Sequence, residues 1–170
     1  MALTVATNVA IRIDALEEET SAAVGARASQ LRHFMAEVSQ WATGTSSLQQ
    51  NRAYSTTSSV TAGVPVAYDL RGIADPLTGS TVEFEHLTTI CIRHNGTTAS
   101  QTLTIGGGSN PVATIWGAAG DASVLGPGGV FVWTSPRDGA ATAAGTADTL
   151  TLTSSSGTVS FDLLILGRQA

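Results

Sequence analysis

The sequence predicts an all-β protein: an antiparallel, jelly-roll-like β-sandwich with an N-terminal arm of strand and short helix. Three observations carry that expectation. First, 24 Thr, 17 Ser and 18 Gly displace charge, which falls to 12% of 170 residues with no lysine at all. A globular domain ordinarily holds roughly 25% charge, and a chain rich in Thr but poor in Glu and Lys favours strands. Second, short alternating segments recur from Val60 onward, each closed by turn chemistry: Asp75-Pro76, Asn95-Gly96, Gly106-Gly107-Gly108, Pro127-Gly128-Gly129, Asp138-Gly139 and Ser156-Gly157. Third, no helical pattern intervenes between them, which is the arrangement of a sandwich or jelly roll.

Taken in order, Leu3, Val5, Val9, Ile11 and Ile13 share one face with Thr7, an amphipathic strand at period two. Ala15–Ser29 is rich in Ala and Glu. Asp14 stands where a helix cap would, Glu17 follows three residues on, and Glu17–Glu19 would suit a helix dipole, so a short helix or ordered loop is expected there. Leu31–Trp41 fits a helix through Leu31, Phe34, Met35, Val38 and Trp41, and a strand through Phe34, Ala36 and Val38. Ala42–Ser59 reads as a polar connector. The strands expected beyond it are 64–70, 81–84, 87–94, 101–105, 112–116, 130–134, 149–153 and 158–166. The division implied is an N-terminal arm and connector, residues 1–59, and a β-sandwich domain, residues 60–170. Leu163–Leu166 is apolar on both faces, which marks either a central strand covered twice or a strand with one face against another subunit.

Charge and cysteine content exclude several functions. A net charge of −5 and a pI near 4.9 do not fit a nucleic-acid binder, which needs clustered cations. No run of 18 apolar residues marks a membrane span, and no basic segment followed by an apolar core marks a signal peptide. Cys91 alone makes no internal disulfide. The densest chemistry is Glu83, Glu85, His86, Cys91 and His94. Glu83 and Glu85 would share one strand face, which describes a solvated sheet as well as an acid/base pair. Cys91 and His94 make half of a zinc site with no second half, and Cys91 between two isoleucines reads as a small buried hydrophobe. No nucleophile elbow or phosphate loop is present. His33, His86, His94 and Cys91 are therefore expected to be structural, with no catalytic residue, metal or cofactor. Trp41, Trp116 and Trp133 are the residues that a sugar-stacking site would use, and Phe131 and Trp133 fit either a core or a subunit contact.

The β region resembles a group of small virion proteins of tailed bacteriophages. The shared pattern is Tyr68-Asp69-Leu70, Ala74-Asp75-Pro76-Leu77-Thr78-Gly79 leading into Val82–Phe84, Leu103-Thr104-Ile105-Gly106-Gly107, Pro127-Gly128-Gly129-Val130-Phe131, Thr146-Ala147-Asp148-Thr149-Leu150, and the closing Leu163–Gly167. With the Gly/Thr-rich Gly44–Arg52, it covers roughly residues 38 to 170. It implies a structural virion protein, assembled in the host bacterial cytoplasm: a capsid decoration (cement) protein bound to the major capsid protein, or a tail component. It also implies a homo-oligomer, a trimer at local three-fold positions, and it favours a strand over Leu31–Trp41. Capsid or inter-subunit contacts are expected through Leu3, Val5, Val9, Ile11 and Ile13 of the arm and through Phe131 and Trp133. The arm is equally suited to completing its own sandwich.

Overall fold

The computed structural model describes residues 7–19, 29–76 and 79–169, with side chains from Ala42 onward. The chain divides into two compact units, Ala6–Trp41 and Ala42–Ala170. The first holds an antiparallel ladder of β1 (Thr7–Glu19) and β2 (Ser29–Thr43), in register from Thr7 opposite Trp41 to Glu19 opposite Ser29. Extended pairing thus overrides the helix expected from Ala15. Residues 15–19 each face a partner on β2, so a ladder of backbone hydrogen bonds replaces the local capping that Asp14 and Glu17 offered. The rest of that stretch, residues 20–28, lies outside the described residues, as do Leu3 and Val5. Leu31–Trp41 is strand.

The second unit is a jelly roll. Its long strands are β4 (Arg52–Thr61), β5 (Val66–Asp69), β8 (His86–His94), β9 (Leu103–Gly106), β10 (Ala122–Leu125), β11 (Val130–Thr134), β13 (Thr149–Ser154) and β14 (Thr158–Arg168). One sheet runs β11-β8-β14-β4 and the other β10-β9-β13-β5. Counted along the chain, the first of these strands pairs with the last (β4 with β14), the second with the seventh (β5 with β13), the third with the sixth (β8 with β11) and the fourth with the fifth (β9 with β10). Two further pairings, β14 with β8 and β13 with β9, close each sheet. This is one long hairpin folded over itself, its successive strand pairs falling alternately into the two sheets: the double Greek key of a jelly roll. The minor elements are β3 (Gln49–Gln50), which takes the last two residues of β2 in parallel; the ribbon of β6 (Ile73–Ala74) and β7 (Thr81–Val82); β12 (Ala140–Ala141), which extends β8; and a single helical turn, α1 (Ala113–Trp116).

Alternation explains why these segments are strands. In β13, Leu150, Leu152 and Ser154 are buried while Thr149, Thr151 and Thr153 are half-exposed. Tyr54, Val60, Ile90, Ile92, Phe161, Leu163 and Ile165 of one sheet and Leu103, Ile105, Leu150 and Leu152 of the other join one apolar cluster. Two aromatic contacts bridge between elements of the core: Tyr54 meets Tyr68 edge-on at 6.0 Å, and Trp116 stacks on Phe131 at 6.4 Å.

Several expectations are corrected here. Residues 52–61 are no connector but β4, paired along its length with β14, so the proposed division at residues 59 and 60 cuts through a strand. The segment 112–116 is no strand but the helical turn α1 with Val112 as its N-cap: Val112 and Trp116 are buried and Ile115 is half-buried, an i, i+3, i+4 pattern that shares its first and last positions with period two. Glu83 and Glu85 do not share a strand face, because β7 ends at Val82. Leu163–Leu166 lies in a central strand, with Leu163 and Ile165 in the core and Leu164 37% exposed on the outer face.

The ladder between β8 and β14 shifts register after Leu166, leaving Gly167 opposite Leu87. A Cβ at Gly167 would meet the His86 carbonyl oxygen at 2.3 Å and Phe84 Cδ1 at 2.6 Å. Backbone cannot swing away as a flexible side chain can. Gly167→Ala is therefore expected to lower unfolding free energy by about 1–3 kcal/mol, read from the shift of the urea midpoint.

Candidate functional site

The feature best built for recognition is the outer face of the sheet β11-β8-β14-β4. The register sets its side chains in rows across the strands. One row is Val132, Cys91, Leu164 and Ser55; the next is Val130, Arg93, Asp162 and Thr57. Val130 is 54% and Val132 41% exposed, so with Leu164 they form an apolar strip on the solvent side of a sheet. A groove of about 770 Å³ runs over this face, lined by Ser55, Thr57, Cys91, Arg93, Asp162 and Leu164, with Pro76 from the turn after β6.

The polar groups of the face are organised around Asp162. Thr57 Oγ1 donates to its Oδ1 at 2.7 Å. That hydrogen bond, one from Asn95 and the positive charge of Arg93 hold the carboxyl below its ordinary value. A depressed folded value stabilises the native state above the unfolded-state pKa, and the contribution is lost as pH falls through the folded value. Thr57→Val is accordingly expected to move the Asp162 titration upward, towards that of a free aspartate, as followed by carboxyl NMR shifts. Partial burial on the same face raises the Cys91 thiol, keeping it in the less nucleophilic protonated form.

The residues singled out from the sequence are dispersed. Cys91 faces outward while His94, three positions on, is fully buried; its Nδ1 accepts from the Gly96 N–H at 2.9 Å. An odd separation on a strand places two residues on opposite faces, which separates this half-site. Glu83 accepts from Gln169 Nε2 at 2.7 Å, and Glu85 lies 4.0 Å from the Arg71 guanidinium. Among the described residues, no group of three or more His, Cys, Asp or Glu could hold a metal ion.

Phe131 and Trp133, expected at a capsid, subunit or core contact, pack against the core. Their register partners on β8 are Ile92 and Ile90, both fully buried, so they point inward, and Val130 and Val132 occupy the solvent side in their place. Trp116 is also buried, so neither it nor Trp133 offers an open platform to a sugar. Val9, Ile11 and Ile13 stand opposite Ser39, Glu37 and Met35 in the β1–β2 ladder. His33 and Trp41 fall on β2, where only the backbone is described.

Sequence reasoning missed Val130, Val132, Leu164, Arg93 and Asp162 as one surface. The alternation around Phe131 held a signal for the first two, but only the strand order brings the five together. Compared with known protein families, curated proteins and solved structures, the chain matches none.

Proposed function

We propose that this chain is a structural virion protein of a tailed bacteriophage: a decoration protein that binds the capsid exterior through the major capsid protein and stabilises neighbouring capsomers as a homo-oligomer. The observation that supports this reading is the order of the motifs that resemble phage virion proteins. From Tyr68-Asp69-Leu70 to Leu163–Gly167 they are distributed over the strands and turns of one jelly roll. A jelly roll hosts many functions, so the fold adds weight only together with that order. Low charge fits a surface given over to contacts, because desolvating charge at the centre of an interface is costly. The reading assigns no catalytic role to any residue and requires no cofactor, nucleic acid or membrane.

The test is electron microscopy of native particles with this chain located in the density, supported by co-sedimentation of the purified protein with undecorated capsids. Saturable binding at a fixed ratio to the major capsid protein, with density on the outer shell, is expected. Density on the tail would overturn the capsid assignment, and absence from particles would overturn the virion role.

A further inference from the structure

We propose that the outer face of the sheet β11-β8-β14-β4 is a contact between two copies of this chain, related by a two-fold axis running along the strands between β8 and β14. The argument is charge complementarity; it does not rest on the virion reading, and it sets a dimer against the trimer that the resemblance implies. Arg93 and Asp162 are register partners on adjacent strands, as are Cys91 and Leu164. Turning a second sheet face to face about an axis parallel to the strands sets β8 over the partner's β14. Arg93 then meets the partner's Asp162, and Asp162 the partner's Arg93, while Cys91 and Leu164 exchange apolar contacts in the same way. An axis across the strands through this row would instead set Arg93 over Arg93 and Asp162 over Asp162, a like-charge arrangement that costs specificity and affinity, and one between the rows would set the charges over Cys91 and Leu164. The charges therefore select one dyad. Sheets pack face to face in aligned fashion about 10 Å apart, a spacing that side chains of the size of Val, Leu and Cys fill. Strands of 5 to 11 residues at their ordinary spacing give a face of roughly 500–600 Å² per partner, below the ~800 Å² of a standard stable interface. The pair is accordingly weak and dependent on concentration.

Sedimentation equilibrium of the full chain from about 1 µM to 1 mM, a range that brackets affinities expected for a small interface, reads the association. Wild type is expected to shift from monomer to dimer. Arg93→Asp sets two carboxylates against each other twice per dimer and should weaken association about a hundredfold. Leu164→Asp should do the same. Arg93→Asp combined with Asp162→Arg restores opposite charges across the dyad and should recover association, while Val124→Asp, at a 63% exposed position on the other sheet, should leave it unchanged. Thermal melts of each variant at monomeric concentration separate loss of association from loss of fold. A chain that stays monomeric at 1 mM, a trimer, or association indifferent to Arg93→Asp and Leu164→Asp in folded variants would overturn the proposal.

Discussion

Phe161→Ala is expected to cost the jelly roll about 3–5 kcal/mol of unfolding free energy. Phe161 is fully buried in the core, near the start of β14 and opposite both Ser58 of β4 and His94 of β8. β14 is the strand that holds the first and third long strands in one sheet, so a cavity at Phe161 lies where three paired strands cannot collapse independently. Loss of the transferred ring surface and the unrelaxed cavity add together, which places Phe161 near the top of the range for a single substitution. Since small domains are stable by only about 5–15 kcal/mol, such a loss removes a large part of the total. Urea unfolding followed by tryptophan fluorescence checks it. A loss under 1 kcal/mol would mean that the core around Phe161 repacks.

The strand positions that were legible in the sequence are those where alternation is carried by large apolar residues. β11, with Phe131 and Trp133 between two valines and Thr134, has the bounds expected of it, and β8, β13 and β14 fall within a residue or two of expectation. β4 was illegible for a physical reason. Of its inward positions Tyr54, Thr56, Ser58 and Val60, only the first and last are apolar, so a strand that spans the sandwich reads as a polar connector. β10 was missed because its inward positions are Ser123 and Leu125 while its valine, Val124, faces solvent. In both cases the pairing partner supplies what the local pattern lacks: β14 fixes β4, and β9 fixes β10.

The arm region shows the same competition with the opposite outcome for helix. Acidic residues after Asp14 are good first-turn residues, yet a strand partner in register as far as Glu19 outweighs that preference. The interaction face was illegible for a topological reason. Val132, Cys91, Leu164 and Ser55 are separated by up to 109 positions in the chain, and only the jelly-roll strand order makes them one row. Inspection of the chain places Arg93 and Asp162 69 positions apart, and nothing local foretells that they are neighbours.

Arg168→Met is expected to cost about 2–4 kcal/mol, from three carbonyls that lose a charged donor. Arg168 ends β14 with only 7% of its surface exposed. Its guanidinium donates to the backbone oxygens of Asp138 at 2.7 Å, Arg137 at 3.3 Å and Ser46 at 3.4 Å. One side chain therefore ties the turn before β12 and the turn before β3 to the last strand. Leu48 N–H donates to Pro136 O at 3.2 Å, and Ser47 Oγ to Arg137 O at 2.9 Å, so the two turns also hold each other. Methionine keeps most of the apolar stem and removes every donor, which isolates the hydrogen-bonding contribution from packing. Lysine restores the charge but not the planar fork that reaches several carbonyls at once, so Arg168→Lys should recover only part of the loss. Hydrogen exchange gives the readout that separates this role from general destabilisation. Amides at residues 46–49, 135 and 137–139 should lose protection in Arg168→Met before those of β8 and β13, whereas uniform loss across the sandwich would show that Arg168 contributes to the fold as a whole and not to these two turns.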